Sequence, residues 1–129
     1  MIKILIIDGN VPFRQALAKI IDCRLPEVSI EEASDGVLAL EKIKSSLPCL
    51  VFVDIHLPGI DGLAYVKKIK QIVPESIIIA FTRYDFPEFQ TTLYQSGADH
   101  FIPKDTWTGE EMLNLVESIV KLQDMDNKS

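Results

Sequence analysis

Five short apolar runs, each followed by a stretch of helical periodicity, constrain this chain more than any other feature. Ile4-Leu5-Ile6-Ile7, Val28 to Ala33, Val51-Phe52-Val53, Ile77 to Phe81 and the segment Asp99 to Pro103 read as buried strands stopped by turn or polar residues. Behind the first, Phe13, Leu17, Ile20 and Ile21 recur at helical spacing through about Arg24, with Pro12 in the first turn where its missing N–H does no harm. Val37, Leu40, Ile43 and Leu47 draw a second apolar stripe ahead of Pro48, and Leu63, Val66, Ile69 and Ile72 or Val73 a third, closed by Pro74. The fourth helix, roughly Pro87 to Ser96, has only Phe86, Phe89 and Leu93 as an apolar line, which makes it the weakest and most mobile of the set. Met112, Leu113, Val116, Ile119 and Val120 share one face of a fifth, about Gly109 to Gln123. Residues 1–123 read as one domain, and the polar residues 124–129 as a frayed tail.

Strands that alternate with helices cannot be joined by hairpins, so the repeats imply a parallel sheet covered by helices on both faces. Pro103 near the end of the fifth strand marks a sheet edge, because proline supplies no ladder donor. A flavodoxin-like (βα)5 doubly wound fold, strand order 2-1-3-4-5, satisfies both conditions, although the sequence alone does not fix that order. In it the first and third strands are neighbours at the switch point, where open α/β sheets place their ligands.

The strand ends carry the chemistry. The first strand runs into Asp8-Gly9-Asn10, and the third delivers Asp54 into Ile55-His56-Leu57-Pro58-Gly59-Ile60-Asp61-Gly62. The fourth ends in Thr82 and the fifth in Lys104. Taken singly, either acid is a helix cap or turn former, Thr82 an ordinary strand-end residue and Lys104 a solvated lysine. Two acids, a hydroxyl and an amine at corresponding ends are together the set that phosphoryl chemistry needs.

Composition narrows the class. With 129 residues and 47% hydrophobic content the chain has material for one core and no second folded unit. A net charge of -6 argues against tracking a nucleic-acid backbone, which needs a basic face. Cys23 and Cys49 fit neither a metal-ligand spacing nor a redox pair and are expected as reduced, buried thiols, which suits a cytoplasmic protein. The apolar run before Asp8 is too short for a signal peptide, and nothing approaches a membrane span.

At these residues the chain resembles a response-regulator receiver domain, the phosphoacceptor module of two-component signalling, over nearly its whole length. The resemblance rests on the acid after strand one, on Asp54 followed by Leu57-Pro58-Gly59-Ile60-Asp61-Gly62, on Thr82, and on Gly97-Ala98-Asp99 leading through Phe101 to Lys104. Lys104-Asp105 is similar to the subfamily whose receivers precede a helix-turn-helix DNA-binding domain. The resemblance implies that Asp54 accepts a phosphoryl group from a histidine kinase or phosphotransfer protein. It further implies that Lys104 supplies positive charge, and that Asp8, Asp54 and the backbone carbonyl of His56 hold Mg2+. Thr82 would bond a phosphoryl oxygen and move inward, Phe101 would follow it, and the face of helix four, strand five and helix five would change for an output domain, a partner protein or a second copy. The His56 imidazole has no part in that scheme.

Two positions depart from the family. Receivers usually carry a second acid where Gly9 stands, and losing a unit charge about 4 Å from a divalent ion forfeits several kcal/mol of attraction, partly offset by desolvation. Weak or absent Mg2+ binding is the consequence. Arg83 stands where the family generally has a small residue, as a shield for Asp54 or a charge of its own. A second reading is therefore an atypical receiver that works as an interaction module without phosphorylation. A dehalogenase-type phosphatase would need an acid at Asn10, and a dinucleotide domain a glycine-rich loop after strand one.

Overall fold

The computed structural model describes residues 2–83 and 87–128. The chain alternates without exception: β1 (Lys3–Ile7), α1 (Val11–Arg24), β2 (Ser29–Ala33), α2 (Gly36–Ser46), β3 (Leu50–Asp54), α3 (Gly62–Ile72), β4 (Ile77–Thr82), α4 (Pro87–Ser96), β5 (His100–Pro103) and α5 (Gly109–Lys128). The strands form one parallel sheet in the order β2-β1-β3-β4-β5, the doubly wound flavodoxin-like arrangement. Pro103 lies on the edge strand, opposite Thr82.

Alternate strand residues point to opposite faces, and both faces are covered. Leu5, Ile7, Val51, Val53, Ile78 and Ala80 pack with Ala39, Ile43, Val66 and Ile69 of α2 and α3. Ile4, Ile6, Leu50, Phe52, Ile79, Phe81 and Ile102 pack with Leu17 and Ile21 of α1 and with all five expected α5 residues, Met112, Leu113, Val116, Ile119 and Val120. Each such side chain contributes about 1.5–3 kcal/mol on burial, so the three central strands are fixed in register by apolar contact on both sides.

Polar residues start the helices. The Asn10 side chain accepts from Phe13 N–H, Asp35 from Leu38 N–H and Asp61 from Leu63 N–H, each cap being worth about 1 kcal/mol. Thr108 and Glu111 form a reciprocal capping box at α5.

Four expectations are corrected. The buried face of α2 is Gly36, Ala39 and Ile43, with Leu40 beside it, while Val37 and Leu47 are exposed. The Asp35 cap sets the helical phase, and Gly36 turns inward because the Tyr65 ring packs where a side chain would sit. On α1, Ile20 lies at the seam against Gly109 and is 36% exposed. Cys23 is exposed on α1 and Cys49 half-buried, so the thiols are free but not both inside. The α5 backbone runs to Lys128, past Gln123, since no Gly or Pro in residues 124–128 stops it. The side chains of Phe86, Phe89 and Leu93 lie outside the described residues. No helix among those described is long and apolar enough to cross a membrane.

Candidate functional site

Strand register builds the site. Ile7 pairs with Val53, which sets Asp8 level with Asp54; Asp54 pairs with Phe81, and Thr82 with Pro103. Lys104 follows at once, its N–H donating to the Thr82 carbonyl at 2.8 Å. All four residues therefore stand at the carboxyl edge of neighbouring strands.

Asp8 is fully enclosed. Its Oδ1 accepts from the Asn10 N–H at 2.8 Å and its Oδ2 from Lys104 Nζ at 2.7 Å. Lys104 is held from below as well, with Nζ 4.2 Å from the centroid of the Phe13 ring, a cation–π contact. Arg14 donates through Nη1 to the Asp8 carbonyl at 2.7 Å and through Nε to Glu32 at 2.9 Å. An ion pair this buried costs about 3–5 kcal/mol to break from one side, because the survivor is left uncompensated.

Asp54 is held differently. Its Oδ1 accepts from the His56 N–H at 2.8 Å, which folds the loop back on the strand end. Among the described residues its carboxylate has no further hydrogen bond and no ion pair, and the residue is 7% exposed. The expected convergence is thus unequal: the structure joins Lys104 to Asp8 and does not pair it with Asp54. Electrostatics decides this, since the fully buried carboxylate gains most from a cation.

Thr82 is buried, and its Oγ1 has no hydrogen-bond partner among the described residues. Phe101, opposite Ala80, is half-buried against the α2/α3 layer and meets the Tyr94 ring edge-on with centroids 5.3 Å apart. The His56 imidazole has a structural use: Nε2 accepts from the Arg83 N–H at 3.3 Å, linking the loops after β3 and β4. Gly9 is exposed and free of positive φ, and a Cβ there would meet only ordinary contacts, 3.7 Å from the Ser34 carbonyl and 3.8 Å from Leu57.

The sequence reading gave Arg14 no role, placed Phe13 only on the apolar line of the first helix, and took Gly62 only as part of the loop motif after Asp54. The first two look like any residues on an amphipathic helix, and only the fold brings them beneath Asp8 and Lys104. At Gly62 a Cβ would collide with the Ile55 carbonyl oxygen, so the first turn of α3 can close beneath the Asp54 loop only with glycine there. Gly59 turns that loop with φ +78°. Behind it, Tyr65 donates its hydroxyl to the Gly36 carbonyl at 2.7 Å and clamps α2 to α3. Burial, with Asp35 nearby, pushes its phenol up to about 12.

The residues present fit Mg2+ poorly. Octahedral coordination favours several anionic oxygens, yet Gly9 offers no side-chain oxygen and the Asp8 charge is already paired with Lys104, which competes with a cation for it. No group of three potential ligands gathers among the described residues. Of the two acids, only Asp54 keeps a side-chain oxygen without a hydrogen bond among those residues.

A doubly wound parallel sheet thus gathers an acid pair, a hydroxyl and an amine at its carboxyl edge, where open α/β sheets place their ligands. Residues 4–117 match the response regulator receiver domain, and the chain belongs to that family, the receiver module of two-component systems. It is similar to the transcriptional activator protein ExaE of Pseudomonas putida, at 30% identity over 78% of this chain and 47% of ExaE. A crystal structure of a two-component response regulator from Clostridium difficile matches with a TM-score of 0.85 at 28% identity, covering 94% of this chain and 97% of that one. A CheY-like receiver from Methanospirillum hungatei shares the fold, with a TM-score of 0.85 at 23% identity over 100% of this chain and 99% of its own. The chain spans about half the length of the curated relatives it matches.

Proposed function

We propose that this receiver accepts a phosphoryl group on Asp54 and changes its α4, β5 and α5 face in response. The observation that carries the reading is the Asp54 carboxylate, which among the described residues keeps an oxygen without a hydrogen bond, at a strand end whose neighbour, Thr82, holds a hydroxyl with no partner among those residues. An Asp54 oxygen attacks the phosphorus of a phosphohistidine on a histidine kinase or phosphotransfer protein. The P–O bond forms as the P–N bond breaks, and the electron pair stays on the departing imidazole, which takes its proton from water. Lys104 supplies positive charge from the adjacent strand, and Thr82 donates its hydroxyl to a phosphoryl oxygen. The Phe101 ring then follows Thr82 and alters its contact with Tyr94, so a local charge event biases a two-state packing element.

Mg2+ affinity is weak, because Gly9 leaves Asp8 as the only acid of its loop and Lys104 occupies it. The readers of the altered face are an output domain, a partner protein or a second copy of the chain, in the cytoplasm. The chain itself, with a net charge of -6, does not track duplex DNA. The saturated Asp8 corner favours a second reading, in which the fold serves as an interaction module independent of phosphorylation.

Incubation with a small-molecule phosphodonor, with and without Mg2+, tests the choice by intact mass. A single phosphoryl adduct that is absent from Asp54→Asn is expected; no adduct under either condition returns the chain to the second reading.

A further inference from the structure

The charges around Asp54 do not balance once it carries a phosphoryl group. A carboxylate of charge -1 becomes an acyl phosphate close to -2. Lys104 shares its single charge with Asp8 at 2.7 Å and so offers the phosphoryl group only part of the compensation it needs, and Arg14 is held by Glu32 and the Asp8 carbonyl. A divalent ion finds a poor donor set. One cation at this edge is left uncommitted: Arg83 directly follows Thr82, is exposed, and has no ion pair among the described residues.

Its backbone is anchored close to the acceptor. The Arg83 N–H donates to His56 Nε2 at 3.3 Å, and the His56 N–H donates to Asp54 Oδ1 at 2.8 Å, so two hydrogen bonds separate residue 83 from the carboxylate. A guanidinium is always charged, loses less hydration than an ammonium when it pairs, and offers a planar fork that matches two phosphoryl oxygens at once. We propose that Arg83 is the counter-cation that folds over phosphorylated Asp54 and supplies the charge that Gly9 and the occupied Asp8 deny to a metal ion. The inference rests on Asp54 as the acceptor, and it makes phosphorylation here less dependent on a divalent ion than the family pattern implies.

Two measurements test it separately from that reading. In a Cys23→Ser, Cys49→Ser background, Asp54→Cys is alkylated with a phosphonomethyl electrophile; the C–S bond forms as the leaving group departs, placing a stable phosphonate at residue 54. Phosphorus NMR then reads its second ionisation. With Arg83 present the phosphonate should titrate about 0.5–1 pH unit lower than with Arg83→Ala, and Arg83→Lys should recover only part of the shift. Equal titration with Arg83 present and with Arg83→Ala overturns the proposal whether or not the native aspartate is ever phosphorylated. In the second measurement, acetyl phosphate with EDTA should leave roughly tenfold less adduct on Arg83→Ala than on the parent chain. Equal adduct on both forms, or an absolute requirement for Mg2+, also overturns it. No adduct on the parent at any Mg2+ concentration counts against Asp54 as acceptor and leaves the phosphonate titration to decide the role of Arg83.

Discussion

Asp8 and Asp54 end adjacent strands and use the same local device. Each turns an Oδ1 onto the N–H two residues ahead, and both bonds measure 2.8 Å. They part at the second oxygen. That of Asp8 is sealed against Lys104 in a corner with no solvent, and Arg14 fixes the carbonyl of the same residue. That of Asp54 has no partner among the described residues, and the residue touches solvent. A carboxylate with both oxygens satisfied holds the fold together; one with an oxygen in reserve can form a bond. Two acids alike in sequence thus differ in environment, Asp8 paired inside the fold and Asp54 with an oxygen in reserve, as the proposed acceptor role requires.

The largest effect that could break this division comes from removing each acid in turn. Asp8→Ala leaves Lys104 half-enclosed without its partner and should lose about 3–5 kcal/mol in urea unfolding, whereas Asp54→Ala should lose no more than about 1 kcal/mol. Equal losses would erase the distinction.

The Tyr65 clamp belongs to neither strand end, and its pH dependence should be separable from both. Its folded pKa, about 12, lies above the ordinary value near 10, so the folded state favours the protonated phenol. That contribution is complete below pH 10 and is lost as pH rises towards 12, a fall of about 2–3 kcal/mol that Tyr65→Phe should remove from the stability profile. A variant with the same alkaline slope as the parent would show that the phenol is not what titrates.

Restoring the family pattern sharpens the contrast from the Asp8 side. Gly9→Asp has room for its Cβ and meets no strained φ. It should tighten Mg2+ binding by about 1–3 kcal/mol, ten- to a hundredfold, and slightly destabilise the metal-free fold, where three carboxylates would face one lysine. Titration of both forms checks this, and equal affinities would mean that the metal site is built from other residues. The smallest effect falls on the Asp54 side. Thr82→Val removes a buried hydroxyl that has no partner among the described residues and should leave stability unchanged or raise it by up to about 1 kcal/mol, while uncoupling Phe101 from any modification of Asp54. Clear destabilisation would show that the hydroxyl is bonded in the resting protein.

What the sequence made legible follows from periodicity. Runs such as Val51-Phe52-Val53 are buried on both faces and say so, and the β–α alternation left few topologies to choose from. The α5 stripe was equally plain, because five apolar residues share one face. The α2 stripe misled, since spacing alone cannot tell which of two apolar lines faces inward when a glycine and an alanine permit the closer approach. At the site, strand ends could be named from turn residues, but the partner of Lys104 could not. Which carboxylate wins the ammonium depends on relative burial, and burial is a property of the assembled edge.

The division between the two acids is tested most directly by locating the acyl phosphate itself. After reaction with a phosphodonor, borohydride reduces an aspartyl phosphate to the alcohol, and peptide mass mapping reads which residue was changed. Reduction at Asp54 and none at Asp8 is the expected result; a reduced residue at Asp8, or at neither strand end, would contradict the division.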